Sequence, residues 1–194
     1  MIRPLYFHNP NQEGFEAIIK HLHSKNYKFI SIEELYSRLE KNDTKGKLAY
    51  ISFDDGWQGN LKLIPIIEKY NVHITIFIAV NPIMSGNFWW EFVAKKVGYT
   101  QMQNFKNLPH DEFESQLKKI KTEVADLQRS TMTIDELETI TKHPLISIQS
   151  HTINHPILTK LPDDLLDFEL SESQKQLEKI TGKSIFAFSY PNWS

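Results

Sequence analysis

The chain has 194 residues, enough for one ordinary domain with a sizeable core. Hydrophobic residues make up 40% and charged residues 24% of it, and the net charge of −2 gives no electrostatic case for nucleic acid or an anionic membrane as partner. Cysteine is absent, which excludes disulfides and thiolate ligands, so a bound metal would need His, Asp, Glu or water.

The first half of the chain predicts alternating strands and helices. A strand is expected over 2–7, with His8 at its end, and a helix over 13–26, where apolar residues recur at helical spacing. A short strand over 27–30 precedes a helix that opens with a capping box at 31–34. This order predicts an α/β fold with a parallel sheet and right-handed crossovers.

Residues 48–56 read LAYISFDDG and form the first chemical motif. The run before the acidic pair predicts a short buried strand, and Gly56 predicts a turn. Asp54 and Asp55 therefore follow the carboxyl end of a buried strand, where α/β proteins place their chemistry. One carboxylate can bind a cation while the other faces the reacting molecule, but an isolated Asp-Asp-Gly also fits a solvated turn.

A helix over 60–70, delayed by Pro65, and a strand over 73–80 continue the alternation. Residues 85–130 interrupt it, and we interpret them as an insertion that contains a long polar helix. Its aromatic cluster includes Trp89 and Trp90. These rings fit either a sugar-stacking wall or a local core that anchors the insertion.

The second motif lies at 145–156, LISIQSHTINHP, after a helix that begins with a capping box at 133–136. A β-like run again ends in polar residues, and His151 and His155 follow four residues apart. On a helical turn that spacing places both imidazoles on one face. Two imidazoles and one carboxylate make a three-ligand site for a divalent ion with room for water. A helix over 163–180 and a strand at the end of the chain follow.

Together the motifs resemble those of the polysaccharide deacetylases, which share the NodB-homology domain of carbohydrate esterase family 4. SFDDG resembles their TFDDG motif, SHTINHP resembles H-[ST]-x-x-H-P, and FAFSYPNW at 186–193 resembles their third motif. The resemblance spans nearly the whole chain. It implies an incomplete or distorted (β/α) barrel, with 1–194 as a single domain and 85–130 as an insertion between the first two motifs.

The resemblance also implies a metal-dependent hydrolase that removes an acetyl group from an N-acetylated sugar or polysaccharide. Asp55, His151 and His155 would bind one divalent ion, and Asp54 would be the catalytic base. Zinc suits this ligand set best among the common ions, with cobalt, nickel and manganese as alternatives. The ion would activate water and polarise the acetamide carbonyl.

The third motif would supply oxyanion and substrate contacts from Tyr190, Pro191 and Asn192. The family usually has an arginine there that orients the base, and alignment puts Ser189 in its place. His8, Trp89 and Trp90 are further pocket candidates. The family also takes a histidine general acid from a later strand, and by exclusion the candidates here are His8 and His143.

The family continues with further strands after its third motif, so we expect this domain to lack its C-terminal strands. That would leave an exposed edge near 185–190 and favour self-association. Two alternatives stay open: a non-catalytic truncated domain that binds metal, glycan or a partner, and an allantoinase-like hydrolase of cyclic amides. No apolar stretch is long enough for a membrane span, and the first residues lack the apolar core of a signal peptide, so the expected location is cytoplasmic.

Overall fold

A computed structural model describes residues 1–191 of the chain. In this range five parallel strands form one sheet: β1 (Ile2–Phe7), β2 (Lys28–Ile30), β3 (Leu48–Phe53), β4 (Ile74–Ile78) and β5 (Ile146–Ser150). The strand order is β1-β3-β4-β5, with β2 paired to the first half of β3. The predicted α/β class and parallel sheet are confirmed, and the described strands do not close into a barrel.

Helices connect these strands as the β-α-β pattern requires. Nine α-helices lie within 1–191: α1 (Gln12–Ser24), α2 (Ile32–Glu40), α3 (Ile64–Tyr70), α4 (Val80–Ser85), α5 (Trp89–Val97), α6 (Tyr99–Phe105), α7 (His110–Glu123), α8 (Ile134–Ile140) and α9 (Asp163–Thr181). Two short 3₁₀ helices, Gln58–Leu63 and Leu158–Lys160, precede α3 and α9. Of the two predicted capping boxes, the one at Thr133 and Glu136 is complete. At 31–34 only half forms: the Ser31 hydroxyl accepts from the Glu34 N–H, but the Glu34 carboxylate binds Lys28 and Arg38.

The central strand β3 is buried along its whole length, which explains its continuous apolar sequence. Successive side chains point to opposite faces of the sheet. Ala49, Ile51 and Phe53 pack in the main core, whereas Leu48 and Tyr50 belong to a second cluster. Both faces of the strand that carries the acidic pair are therefore fixed by packing.

The chain between α4 and α8 has an apolar cluster of its own. Helices α5, α6 and α7 share it, through buried residues Trp89, Val93, Met102, Phe105, Phe113, Leu117 and Ile120. Helix α7 ends at Glu123, and residues 124–130 return towards the sheet without regular secondary structure. The interpretation of 85–130 as an insertion stays a prediction.

The strand predicted over 185–190 was wrong as a regular element. Only Phe188 forms a bridge there, in parallel to Ser150 at the end of β5. The N–H groups of Phe186 and Ala187 both donate to the side-chain Oε1 of Gln149, at 2.9 Å each. The Gln149 side chain thus accepts from two N–H groups that would otherwise be available for backbone pairing in a sheet. Backbone pairing with β5 is therefore confined to a short stretch around Phe188.

Candidate active site

The polar residues singled out in the sequence collect at one edge of the sheet. His8 follows β1, Asp54 and Asp55 follow β3, and His151 follows β5. Because the strands are parallel, their carboxyl ends meet at this edge. These four side chains line one cavity of about 390 Å³, which is within the size range of small-molecule sites.

Three of these residues form a compact cluster with metal-ligand chemistry. One ligand atom each from Asp55, His151 and His155 lies within 4.8 Å of the others, and all three residues are buried. The Asp55 Oδ1 atom is 3.3 Å from Nε2 of His151 and 3.1 Å from Nε2 of His155. Strands β3 and β5, which are distant in sequence, therefore bring together the acidic motif and the two-histidine motif.

The protonation pattern of the cluster fits a cation. The Nδ1 atom of His151 lies 2.9 Å from the carbonyl oxygen of Ser189, and since a carbonyl can only accept, Nδ1 donates. A neutral His151 ring then presents a lone pair at Nε2 towards Asp55 Oδ1, a buried atom that accepts no hydrogen bond within 1–191. Two electron-pair donors this close are stabilised by a positive ion between them.

The electrostatics of the other two ligands agree with this. Burial is the largest influence on Asp55 and opposes its charge, but contacts with the two imidazoles outweigh it and lower the pKa of Asp55 below its usual range. Burial lowers the pKa of His155, and its contact with Asp55 opposes that shift only in part. A charged carboxylate and a neutral imidazole are the ligand forms that a metal requires.

Asp54 has a different environment from its neighbour. It is 4% exposed, and its carboxylate is not part of the ligand cluster. Burial raises the pKa of Asp54; the nearby His151 opposes this and Asp55 adds to it. The hydroxyl of Ser189 lies 3.5 Å from Asp54 Oδ2, at the position where the family motif has arginine.

The turn after β3 is built to aim Asp55 at the histidines. Asp55 and Gly56 both have left-handed backbones, with φ of 80° and 84°. A Cβ on Gly56 would lie 2.7 Å from the side chain of Ile78, so the turn has no room for a larger residue. The indole N–H of Trp57 donates to Asp55 Oδ2 at 2.7 Å, which fixes the carboxylate and leaves Oδ1 towards the imidazoles.

The loop that carries the two histidines is clamped by helix α9. The buried carboxylate of Glu169 accepts hydrogen bonds from the N–H groups of Ile153 and Asn154, at 2.8 and 2.9 Å, and from the Asn154 side chain at 2.6 Å. Within the loop, His155 N–H donates to the Thr152 hydroxyl. The loop is therefore a bonded turn whose shape α9 fixes, which replaces the simple helical turn that its spacing suggested.

The aromatic cluster divides between the two roles considered from sequence. Trp89 is 4% exposed, packs with α7 and donates its indole N–H to the carbonyl of His155, so it supports the loop from the core and does not line the cavity. Trp90 lines the cavity, stacks on Phe88 at 4.2 Å between ring centroids, and meets the His155 ring at 4.7 Å. One ring thus belongs to the core and the other to the site.

The third motif contributes unevenly. Tyr190 lines the cavity and is 57% exposed, whereas Pro191 is buried and is not part of the lining. Asn192, predicted to supply the oxyanion contact, lies outside the described residues. His143, considered as an acid, precedes β5 at the opposite end of the strand and lies 3.2 Å from Glu68, so it is remote from the cavity.

Sequence reasoning missed one wall of the cavity. Helix α6 and the residue that follows it supply four lining side chains: Tyr99, Met102, Gln103 and Lys106. It also missed Trp57 and Glu169, which hold Asp55 and the histidine loop. Trp57 stands two residues after Asp55, which is the one local signal that pointed to it. For α6 and Glu169 the sequence offers none, since both act through long-range contacts.

Within residues 1–191, no helix combines the length and the apolar character that a bilayer crossing demands.

An open parallel sheet with an Asp-His-His cluster at its carboxyl edge defines the class: an α/β protein with a buried cluster of the metal-ligand type. The chain belongs to the polysaccharide deacetylase family, whose sequence profile matches residues 41–194. A curated protein of Bacillus subtilis (strain 168) that carries the family's name, YxkH, is 24% identical over 184 residues, which are 94% of this chain and 50% of YxkH. The chain thus spans half the length of that relative.

Solved structures share the fold. The Streptococcus pyogenes deacetylase PplD, in complex with acetate, superposes with a TM-score of 0.68 at 20% identity over 98% of this chain and 73% of PplD. The polysaccharide deacetylase BC0361 of Bacillus cereus gives a TM-score of 0.65 at 20% identity, over 98% of this chain and 50% of that one. The expected family and fold are confirmed by these similarities.

Proposed function

We propose that this domain is a metal-dependent hydrolase that removes the acetyl group from an N-acetylated sugar within a glycan. The observation that carries the proposal is the buried Asp55, His151 and His155 cluster beside a separate buried carboxylate, Asp54, in one cavity. Membership of the polysaccharide deacetylase family supports the choice of substrate class. An allantoinase-like reaction is less well supported, because the complete Asp-His-His set is retained.

Each residue has a role that its surroundings favour. The bound cation supplies Lewis-acid activation of water and of the amide carbonyl. Asp54 accepts the proton of the attacking water, and its raised pKa makes it a better base than an ordinary surface carboxylate. Trp90 and Tyr190 offer ring faces against which a sugar can pack. The products are acetate and a free amine on the sugar.

Zinc is the ion that we propose for this centre. Two neutral imidazoles and one carboxylate are a common three-ligand set for catalytic zinc, with a further position left for water or substrate. The described residues within ligand distance include neither a thiolate nor a second carboxylate. The cluster is therefore a poor match for metal ions that prefer thiolate ligands or all-oxygen ligands. Cobalt, nickel and manganese are the substitutes to compare in the same binding experiment.

A pair of variants separates the two carboxylates. Asp54→Asn should keep the metal and lower deacetylation by about 100-fold or more, because only the base is lost. Asp55→Asn should lose the metal, because the charged ligand is removed. Metal content by atomic emission and acetate release from N-acetylchitooligosaccharides measure the two effects. Equal metal loss in both variants would show that the roles are assigned wrongly, and metal binding without acetate release would favour the non-catalytic alternative.

We propose His8 as the group that protonates the leaving amine. It lines the cavity and is the lining histidine outside the ligand set, and its charge acts on Asp54. His8→Gln should lower deacetylation by about 100-fold while metal content stays unchanged. His143→Gln is the matched control, since that ring lies at the opposite end of the sheet beside Glu68. A larger loss in the His143 variant would contradict this role.

We also propose that the edge at 185–190 mediates self-association. Phe186 and Phe188 are 44% and 38% exposed there, and Tyr190 is 57% exposed. The backbone of this stretch pairs with β5 only around Phe188. Partly paired backbone beside exposed aromatic rings favours contact with a second copy.

A further inference from the structure

The wall of the cavity formed by α6 carries an ammonium group that no carboxylate within residues 1–191 neutralises. Lys106, the residue that follows α6, lines the cavity and is half-buried. Within residues 1–191 its side chain makes no ion pair and no hydrogen bond, although other lysines of this region do, such as Lys96 with Glu123. An unpaired cation that faces a cavity is available to a ligand.

The backbone beneath Lys106 is held in place. The ammonium of Lys160 reaches from the 3₁₀ helix before α9 and donates to the carbonyl of Lys106 and, at 3.1 Å, to that of Leu108. Both carbonyls belong to the turn that follows α6, so this contact fixes that turn. One lysine therefore fixes the end of α6, and the neighbouring lysine is left for the cavity.

The charge balance of the lining favours an anion. The lining contains two carboxylates, Asp54 and Asp55, and both lie at the metal end, where Asp55 contacts two imidazoles. With a divalent cation in the cluster and Lys106 charged, the lining carries a net positive charge. Apart from the three histidines, the remaining wall residues Trp57, Trp90, Tyr99, Met102, Gln103 and Tyr190 are uncharged.

We infer that the site prefers an anionic glycan, in which a carboxylate on a sugar neighbouring the N-acetylated one contacts Lys106. This inference rests on the proposed deacetylation, since it specifies the substrate of the same cavity. Tyr99 and Tyr190, both largely exposed on the lining, provide flat surfaces for the neighbouring sugar. Gln103, one helical turn before Lys106, adds an amide that can bond a hydroxyl or carboxylate.

Two oligosaccharides test the inference directly. N-acetylchitotetraose is neutral, whereas a hyaluronan tetrasaccharide alternates N-acetylglucosamine with a glucuronate carboxylate. Calorimetric binding of both to the full chain, with and without Zn²⁺, gives an affinity ratio that does not depend on turnover. We expect the anionic probe to bind about tenfold more tightly, as one charge-assisted hydrogen bond would give, with the ratio falling as salt is raised.

Variants assign that ratio to Lys106. Lys106→Gln should abolish the preference, and Lys106→Glu should reverse it, while Lys95→Gln, an exposed lysine on α5 away from the cavity, should leave it unchanged. Matching thermal unfolding curves confirm that the variants are folded. Equal binding of the two probes, or an equal loss for both in Lys106→Gln, would overturn the inference. Release of acetate from either probe without a charge preference would support the deacetylase proposal and contradict the preference for an anionic glycan. A Lys106-dependent preference without release of acetate would support the anionic ligand and contradict the deacetylase proposal.

Discussion

At the residue scale, the two neighbouring aspartates show how position decides chemistry. Asp54 and Asp55 are adjacent and both buried, yet the pKa of Asp54 is raised and that of Asp55 is lowered. Burial acts on both in the same direction, so the difference comes from partners: Asp55 contacts two imidazoles, and Asp54 has the weaker contact with Ser189. A left-handed turn at Asp55 is what points the two side chains apart.

Trp57 should matter for metal affinity more than for folding. Its indole N–H holds the Asp55 oxygen that faces away from the imidazoles. Trp57→Phe keeps the ring and removes the N–H, so we expect metal affinity to fall about 10- to 100-fold, as for other lost partners of metal ligands. Competition with a chromogenic chelator measures it.

Trp90→Phe is the matched control for this prediction. Trp90 contacts the ring of His155 and stacks on Phe88, and its own N–H makes no bond to Asp55. Equal affinity losses in the two variants would mean that ring packing, rather than the hydrogen bond, holds the centre.

At the element scale, helix α9 acts on the site through one buried side chain. Glu169 accepts three hydrogen bonds from the loop between the histidines. Glu169→Gln preserves size but replaces an accepting oxygen with a donating amide, so at least one loop donor loses its partner. We expect a loss of about 1–3 kcal/mol in the free energy of unfolding, together with weaker metal binding. Chemical denaturation and metal titration provide both values.

Glu172→Gln, on the same helix, is the control. Glu172 is partly exposed and contacts Gln176 and Lys175, residues of its own helix. A change there should stay within about 0.5 kcal/mol, because surface ion pairs contribute little. An equal effect in the two variants would assign the loss to the helix itself and not to the loop.

The elements that the sequence predicted well are those with a local cause. The acidic pair follows a run of six buried residues, and the N-caps Ser31 and Thr133 each act within four residues of chain, so neither feature needed long-range information. The strand prediction over 185–190 failed because the Gln149 side chain, 37 and 38 residues earlier in the chain, binds the N–H groups of Phe186 and Ala187. The positions of Lys106 and Glu169 at the site were not predicted for the same reason: their neighbours in space are distant in sequence.

At the scale of the whole molecule, the sheet is open at the described β5 side, and the proposed self-association follows from this. A Phe186→Ser, Phe188→Ser double variant should weaken dimer formation at least tenfold, because each phenylalanine buried at an interface contributes about 1.5–3 kcal/mol. Sedimentation equilibrium over a range of concentrations measures the dissociation constant.

Phe168→Ser is the control for the edge. Phe168 is 49% exposed on α9 and lies away from residues 185–190 in the sequence. If it weakens association as strongly as the double variant, or if the unmodified chain remains monomeric at high concentration, the edge is not the contact surface.

The left-handed backbones at Asp55, Thr152 and His155 have a consequence for how such a protein can change over generations. A non-glycine residue held in this backbone region costs on the order of 1 kcal/mol or more. Glycine at these positions would therefore raise the free energy of unfolding of the metal-free protein. Selection for thermal stability alone would therefore favour glycine at Asp55 and His155, two of the three proposed metal ligands. Homologues under selection for activity are therefore expected to keep Asp and His at these positions. Homologues that have lost the activity are expected to lose these residues early.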